Sequence, residues 1–253
     1  MREINGMSVL VTGGGSGIGE GVARLFAARG AKVTICGRRK DKVEAVAGSI
    51  GAACRAVVGD VTQQPDRQAM LDAAVAHGGK LDVLVNNAGN MYRQAVGAYT
   101  EEFLKEAFNT NVIAAMMLSS MAVPLLETTQ GAIIFLGSIH NRRAYPGASP
   151  YATTKAAVEG LSRVMAAELG RRQIRVSCVL PGAVSTEINL RAGLFTPEQA
   201  AERYAAIAPD HALGRIGTAQ DIAEAIEYLV RADWVTGVAL EVDGGLGLGV
   251  SKF

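Results

Sequence analysis

The feature that most constrains the fold is the alternation of seven short apolar runs with longer amphipathic stretches along the chain. The short runs are rich in β-branched residues: SVLVT, KVTIC, RAVVG, LDVLVN, GAIIFLG, IRVSCVL and VALEV. The stretches between them, such as GEGVARLFAARG, have helical periodicity. Strands that alternate with helices form a parallel sheet covered on both faces. We therefore predict an α/β protein with a doubly wound, seven-stranded parallel sheet of the Rossmann-like type.

The chain shows no internal boundary. No linker, repeat or low-complexity segment divides the 253 residues, so we predict a single domain over residues 1–253. A net charge of +1 gives no global field that would favour nucleic acid or a membrane surface. No run has the apolar length of a membrane span, and the N-terminus lacks the layout of a signal peptide.

The cysteines and histidines suggest neither a disulfide framework nor a metal site. Cys36, Cys54 and Cys178 stand apart from one another, which favours a reducing, cytoplasmic location. The three histidines lack the spacing of metal ligands, so we predict no metal.

A glycine-rich segment, TGGGSGIGEG, follows the first predicted strand. Gly13, Gly17 and Gly19 permit a tight turn and let backbone N–H groups approach a phosphate at the positive end of a helix. The spacing is G-x-x-x-G-x-G, and neither G-x-G-x-x-G nor a nucleoside triphosphate loop is present. The alternative is a turn that only lets helix and strand pack closely.

A second segment, SPYATTKAAVEG, places Tyr151 and Lys155 one helical turn apart, about 6 Å along the axis and on one side. A nearby ammonium favours a phenolate, so we expect the pKa of Tyr151 to fall from about 10 toward neutral pH. Tyr151 would then serve as a general acid or base. The alternative for Lys155 is a solvated helix residue.

Together, in their order and spacing, these motifs resemble the short-chain dehydrogenase/reductase family over almost the whole chain. The matching segments are TGGGSGIG (12–19), GDV (59–61), NNAG (86–89), FNTNVIAA with Asn111, Ser138 after the fifth strand, YATTK (151–155), PGAVST (181–186), VTG and VDGG. The resemblance implies an NAD(P)-dependent oxidoreductase of the EC 1.1.1 type that interconverts a small carbonyl compound and a secondary alcohol.

The resemblance assigns catalytic roles to four side chains. Tyr151 would supply the proton, Ser138 would hold the carbonyl oxygen, and Lys155 would bind the nicotinamide ribose. Asn111 would position a water behind the lysine. Taken singly, Ser138 could instead cap a strand end, and Asn111 could bond backbone within its own helix.

The resemblance also implies a cofactor site at the carboxyl ends of the strands. Asp60 is expected to face the adenine, Asn87 and Gly89 to lie near the adenosine ribose, and Val184 and Thr186 to face the nicotinamide carboxamide. The full expected set is Gly13, Ser16, Gly17, Ile18, Gly19, Arg38, Asp60, Val61, Asn87, Gly89, Tyr151, Lys155, Pro181, Gly182, Val184 and Thr186.

The choice of cofactor is expected to depend on ICGRRK, at the end of the second strand. An NAD enzyme usually carries an acidic residue there for the ribose hydroxyls, whereas this chain has Gly37. Arg38 follows, with a planar fork suited to phosphate. We predict that NADP(H) is favoured and that NAD(H) is the alternative; the basic turn could also simply be solvated.

Substrate specificity is expected from a lid at about residues 183–216, in which Thr196, Pro197 and Gln199 form a helix-capping signature. The predicted pocket residues are Asn90, Met91, Tyr92, Ile139, His140, Tyr145 and Ala183. Arg142 and Arg143 could bind an anionic substrate or could simply be solvated.

Three other functions are alternatives to carbonyl–alcohol interconversion with NADP(H). They are an NAD-dependent alcohol or sugar dehydrogenase, a sugar-nucleotide epimerase or dehydratase, and a cofactor-binding redox sensor or scaffold. The epimerase branch spaces its glycines G-x-x-G-x-x-G, unlike this chain, and the intact Ser138, Tyr151 and Lys155 set argues against a non-catalytic role.

The helices predicted at 101–127 and 151–170 are apolar on more than one face and are expected to be covered on both sides. The resemblance implies a homo-oligomer, a tetramer or a dimer. The chain departs from the family between IEYLV and VTG, where only RADW remains of a usually longer connection.

Overall fold

A computed structural model describes residues 1–249, which contain a seven-stranded parallel sheet. The strands are β1 (Ser8–Thr12), β2 (Lys32–Gly37), β3 (Cys54–Val58), β4 (Val83–Asn86), β5 (Ala132–Leu136), β6 (Arg175–Pro181) and β7 (Ala239–Val242). They lie in the order β3-β2-β1-β4-β5-β6-β7, and every neighbouring pair is parallel. The predicted α/β fold is therefore confirmed.

Helices cover both faces of the sheet because successive strand residues point to opposite sides. The α-helices are α1 (Gly17–Ala28), α2 (Lys40–Ile50), α3 (Gln64–Gly78), α4 (Glu101–Phe108), α5 (Ala114–Thr129), α6 (Ser149–Leu169), α7 (Ile188–Arg191), α8 (Pro197–Ile207) and α9 (Ala219–Arg231). On one face Val9 and Val11 of β1 pack with α1 and α9, and on the other Leu10 packs with α3, α5 and α6.

The strand order reverses between β1 and β4. The chain builds β2 and β3 on one side of β1, and β4 to β7 on the other. In such sheets a crevice opens at the carboxyl ends of the strands where the order reverses, and ligands bind there. The glycine-rich segment follows β1 at this point, which puts it at the centre of the crevice.

A π-helical turn at Asn109–Ile113 interrupts the long helix predicted at 101–127, so that α4 and α5 are separate α-helices on either side of it. Such turns inside α-helices often occur at functional sites. This one carries Asn111, which is buried. Because the predicted helix contained no proline or glycine at this place, its sequence gave no sign of the interruption.

By length and composition alone the segment Glu101–Thr129 is long and apolar enough to cross a membrane, contrary to the sequence prediction. The core helices of soluble proteins pass the same test. Leu118 and Leu126 pack in the core under the sheet, whereas Met116 and Met117 are exposed. The predicted covering of this outer face by a second subunit stays a prediction.

The short connection after α9 still delivers a regular last strand. Gly237 N donates to Val176 O at 2.7 Å, and Val176 N donates to Thr236 Oγ1 at 3.0 Å. These bonds align β7 parallel to β6, with Ala239 opposite Cys178. The shortening therefore leaves the sheet intact.

Candidate active site

The glycine segment turns sharply between β1 and α1. Gly13 and Gly17 have φ values of +67° and +57°, which other residues rarely adopt. A Cβ atom on Gly19 would collide with Gly13 O and lie 2.5 Å from Asn87 Nδ2. The first turn of α1 is thus pressed against the loop that precedes it, and only glycine fits at position 19.

Asn87, which follows β4, stabilises this loop through hydrogen bonds. Its Nδ2 donates to Thr12 O at 2.8 Å and to Gly13 O at 3.1 Å, and its backbone N donates to Thr12 Oγ1 at 3.0 Å. The side chain that the resemblance placed near the adenosine ribose is therefore bonded to the glycine loop. Asn87 acts in the structure as a support for the turn.

A continuous cleft runs along the carboxyl ends of the strands, formed by three adjoining cavities. The first lies beside the end of β2, the second beside the glycine loop, and the third beside Ser138. Every residue predicted for the cofactor except Gly19 lines this cleft. They are Gly13, Ser16, Gly17, Ile18, Arg38, Asp60, Val61, Asn87, Gly89, Tyr151, Lys155, Pro181, Gly182, Val184 and Thr186.

The β2 end of the cleft is basic. The Arg38 side chain is 69% exposed, with Nη1 3.7 Å from Asp60 Oδ2. The other oxygen of Asp60 accepts from the N and Oγ1 of Thr62, both at 2.9 Å. The carboxylate expected to face an adenine is thus already engaged by its own loop, while most of Arg38 faces solvent.

Two further arginines at this end were missed by the sequence reasoning. Arg39 donates to Ser16 Oγ at 2.9 Å and to Glu187 Oε2 at 3.0 Å, and Arg191 donates to Gly89 O at 3.1 Å. Arg39 stood next to a predicted site residue and could have been included. Arg191 lies on α7, more than 150 residues along the chain, where no spacing pattern points to it.

Tyr151 and Lys155 are both buried at the start of α6, at the other end of the cleft. Lys155 Nζ donates to Leu136 O at 2.8 Å and lies 5.6 Å from the centroid of the Tyr151 ring. Ser138, at the end of the turn after β5, has its Oγ 3.0 Å from His140 Nδ1. The three predicted catalytic side chains are therefore brought together, with His140 beside them.

The predicted fall in the Tyr151 pKa is wrong for this structure. Burial raises the pKa of Tyr151 to about 12, and a hydrogen bond with Ser138 acts in the opposite direction. Burial also lowers the pKa of Lys155 to about 8. Both shifts have one cause, because a buried site disfavours the charged form of each group.

Both polar atoms of the Asn111 carboxamide form hydrogen bonds. Oδ1 accepts from Asn90 N at 2.9 Å, while Nδ2 donates to Asn90 O and to Thr154 Oγ1, both at 3.0 Å. The π-helical turn thereby ties the loop after β4 to the helix that carries Lys155. A Cβ atom on Gly89 would lie 3.0 Å from Asn111 Oδ1 and 3.5 Å from Lys155 Nζ, so these groups are close together.

The third cavity is mostly apolar and contains His140. Its ring packs edge-on against Tyr151 at 5.1 Å and at a tilt against Tyr145 at 4.4 Å. Burial, together with the charges of Arg93, Arg203 and Lys155, lowers the pKa of His140 to about 4. Of the predicted pocket residues, Met91, Ile139, His140, Tyr145 and Ala183 line this cavity, whereas Asn90 lines the β2 end and Tyr92 bonds Glu106.

Residues 183–216 border the same cavity. The capping box at Thr196 and Gln199 begins α8 as predicted, and Tyr204 Oη donates to Thr186 O at 3.3 Å. Arg203, Tyr204 and Ile207 of α8 line the cavity and were not among the predicted residues.

Arg142 does not line this cavity, so the possible role of Arg142 in binding an anionic substrate is wrong. Its guanidinium donates to Glu159 at 2.9 and 3.0 Å and to Glu241 at 2.7 Å. Arg143, in contrast, does line the cavity. Arg142 therefore has a structural role, whereas the neighbouring Arg143 lines the cavity.

Comparisons with known proteins identify the family of the chain. The sequence profile of a family described as enoyl-(acyl carrier protein) reductase matches residues 13–247. A 3-oxoacyl-[acyl-carrier-protein] reductase of Chlamydia muridarum is 32% identical over 246 residues, 94% of this chain and 96% of the relative. The chain belongs to the short-chain dehydrogenase/reductase family. An uncharacterised oxidoreductase of Methylorubrum extorquens is 35% identical over 252 residues, 97% of this chain and all of the relative.

Solved structures confirm the family and its fold. A short-chain dehydrogenase/reductase of unknown function from Caenorhabditis elegans, determined with its cofactor, has a TM-score of 0.92 at 28% identity and covers 98% of each chain. A 3-ketoacyl-(acyl-carrier-protein) reductase from Brucella melitensis, complexed with NADH, has a TM-score of 0.87 at 32% identity and covers 96% of this chain and 99% of that one. As a member of the family, this chain is an oxidoreductase.

Proposed function

We propose that this short-chain dehydrogenase/reductase uses a nicotinamide cofactor, NADP(H) by preference, to interconvert a carbonyl compound and a secondary alcohol. The observation that carries the proposal is the burial of Ser138, Tyr151 and Lys155 together at one end of a cleft that passes the glycine loop. A cofactor-binding sensor or scaffold would not need three buried polar side chains in this arrangement.

The cleft fits a dinucleotide at three places. Side chains at Gly13 and Gly19 would fill the turn, so backbone N–H groups there can approach a diphosphate at the start of α1. The cavity beside β2 would hold the adenosine, and Lys155, Val184 and Thr186 would hold the nicotinamide end. The nicotinamide, when bound, supplies or accepts a hydride.

Side chains of the protein would donate the proton and stabilise the charge that its transfer leaves. A Tyr151 pKa of about 12 keeps the phenol protonated at neutral pH, which is the form that can donate to a nascent alkoxide during reduction. Ser138, which lines the same cavity as this phenol, would hold the carbonyl oxygen next to it. The Lys155 ammonium, 5.6 Å from the Tyr151 ring centroid, would stabilise the phenolate that remains. Asn111 would fix the loop that contains Asn90 and would position a water behind Lys155.

The preference for NADP(H) is supported by the β2 end of the cleft. Gly37 provides no carboxylate for ribose hydroxyls, and Arg38 beside it offers an exposed guanidinium to a phosphate. Lys42 and Arg39 add positive charge, partly balanced by Glu187 at 3.7 and 3.0 Å. The second candidate is an NAD-dependent alcohol or sugar dehydrogenase, which the NADH complex of the Brucella relative favours.

The test is a calorimetric titration with NADPH and with NADH of the wild type, Arg38→Ala and, as a matched control, Arg171→Ala, an exposed arginine away from the cleft. A charge-assisted contact contributes about 1.5–3 kcal/mol, so NADPH should bind about ten- to a hundredfold more weakly to Arg38→Ala and equally well to Arg171→Ala. NADH binding as tight as NADPH binding would disprove the preference and support the NAD-dependent alternative.

A second variant tests the chemistry. Tyr151→Phe should bind the cofactor but lose at least a hundredfold in the rate of carbonyl reduction, because the proton donor is missing. Retained turnover in this variant would disprove the assigned role. The proposal also includes a single domain, closure of residues 183–216 over the substrate, a homo-oligomer, the absence of a resident metal and a cytoplasmic location.

A further inference from the structure

Three arginines from separate parts of the chain line the cavity beside Ser138. Arg93 lies in the loop after β4, Arg143 in the loop after β5, and Arg203 on α8. Among the lining residues that the structure describes, Asp210 is the one acidic side chain. Two loops and one helix therefore contribute positive charge to a mostly apolar cavity.

The three arginines share this cavity with the aromatic side chains beside Tyr151. The Arg143 guanidinium lies 6.0 Å from the centroid of the Tyr145 ring, and the Tyr145 ring packs against His140, which packs against Tyr151. The electrostatic effects agree with this arrangement: after burial, Arg203 is the next cause of the lowered pKa of Arg93, and both arginines lower the pKa of His140. Arg143 and Arg203 both act against the burial that raises the pKa of Tyr145.

None of the three guanidinium groups forms an ion pair within residues 1–249. Arg93 donates to Pro146 O at 2.7 Å, Arg143 donates to Leu246 O at 3.2 Å, and Arg203 lies 5.3 Å from the centroid of the Phe195 ring. A guanidinium has five N–H donors, so most remain available to a ligand.

Several arginines elsewhere in the described residues form ion pairs instead. Arg142 and Arg163 share Glu159, Arg172 binds Glu127, and Arg215 binds Asp221. Three like charges around one apolar cavity repel one another more strongly than they would in water, and a bound anion removes that cost. The cluster is therefore arranged for a negatively charged ligand.

We propose that the carbonyl substrate carries an anionic group and that Arg203, with Arg93 and Arg143, binds it. The apolar side chains of Met91 and Ile139 in the same cavity favour an aliphatic spacer between the carbonyl and the anion. The simplest such substrate is an aliphatic oxo acid, and a phosphate-bearing acyl thioester shares the chemistry. This inference rests on the proposed carbonyl reduction and names the substrate class of that site.

The experiment compares substrates that differ only in charge. Reduction is followed by oxidation of NADPH with an aliphatic oxo acid, its methyl ester, acetoacetyl-coenzyme A and a neutral acetoacetyl thioester. The wild type should show a KM at least tenfold lower for one anionic substrate than for its neutral partner, with kcat changed less. That preference should fall below twofold in Arg203→Ala, recover in part in Arg203→Lys and persist in Arg171→Ala.

A binding measurement gives a readout without turnover. An aliphatic carboxylate of the same length, which has no carbonyl to reduce, is titrated calorimetrically into the wild type and Arg203→Ala. Binding that disappears in the variant supports the proposal. The acid and thioester pairs identify whether the anion is a carboxylate or a phosphate.

Different results would overturn the anionic-substrate inference and the proposed carbonyl reduction. If neutral and charged substrates are reduced equally well and Arg203→Ala changes nothing, the inference is overturned while the proposed function stands. If NADPH binds but no carbonyl compound of either kind is reduced, the proposed function fails and the inference fails with it.

Discussion

Gly19→Ala provides the sharpest test of how the glycine loop is built. A Cβ atom at this position would collide with the carbonyl of Gly13 and lie 2.5 Å from Asn87 Nδ2. Either the turn must open or Asn87 must give up its bonds to Thr12 O and Gly13 O. Neither Gly19 nor Gly48, its control, has a positive φ, so backbone strain does not confuse the comparison.

The expected loss in the free energy of unfolding follows from these contacts. Overpacking costs about 1–3 kcal/mol and a lost hydrogen bond about 1 kcal/mol, while alanine in a helix gains about 0.5–1 kcal/mol over glycine. Gly19→Ala should therefore lower the free energy of unfolding by about 2 kcal/mol, or lower Tm by about 4–8 °C for a chain of this size. Gly48 is exposed on α2 with open space around it, so Gly48→Ala should only raise the free energy of unfolding, by about 0.5–1 kcal/mol.

Thermal unfolding and calorimetric titration with NADPH measure both consequences. Gly19→Ala should bind NADPH at least tenfold more weakly, because the displaced turn no longer presents its N–H groups to a diphosphate. Gly48→Ala should unfold at a slightly higher temperature and bind as the wild type does. A Gly19→Ala protein with wild-type Tm and wild-type affinity would show that the loop tolerates a side chain and that the close packing is not needed.

Two further predictions concern buried groups. Arg142→Ala should lower the free energy of unfolding by about 1–3 kcal/mol, since buried Glu159 loses two charge-assisted hydrogen bonds; an unchanged denaturant midpoint would contradict the structural role of Arg142. Stability should decline as pH rises above 9, because burial raises the pKa of Cys36 from 9.0 to about 12, so the unfolded chain releases a proton that the folded one keeps. The decline approaches about 1.4 kcal/mol per pH unit only well above pH 9, so this thiol contributes a loss of about 1.4 kcal/mol in total between pH 8 and pH 10. Denaturant unfolding followed from pH 8 to 10 should show a decline smaller by that total in Cys36→Ala; equal declines in the two proteins would refute it.

The sheet could be predicted from sequence because strand formation here has a local signal. SVLVT and KVTIC are apolar, β-branched and bounded by turn residues, and they appear as β1 and most of β2. The glycine loop and the Tyr151–Lys155 pair were likewise visible because each depends on spacing within one turn or one helix. The π-helical turn at Asn109–Ile113 was not, since one extra residue per turn leaves the hydrophobic pattern nearly unchanged.

The errors at the site all involve three-dimensional surroundings. The pKa of Tyr151 was misjudged because the distance to Lys155 was considered without the burial of both side chains, which outweighs it. Arg93 and Arg203 were missed because they lie more than 100 residues apart in loops and helices that meet only in the folded chain. Local spacing predicts which residues share a face, but a charge cluster formed by distant segments has no periodicity to detect.

A chain with a net charge of +1 nevertheless concentrates positive charge at both ends of one cleft. At the β2 end, burial and then Arg39 lower the pKa of Arg191, and at the Ser138 end, burial and then Arg203 lower the pKa of Arg93. In each case the neighbouring charge is another cation, which opposes ionisation of the arginine. At the β2 end the Glu187 carboxylate, 3.0 Å from Arg39, offsets part of this repulsion. A bound anion would offset the rest. The charge distribution thus favours one cleft that holds a phosphate-bearing cofactor at one end and an anionic substrate at the other, with the Tyr151 phenol between the two.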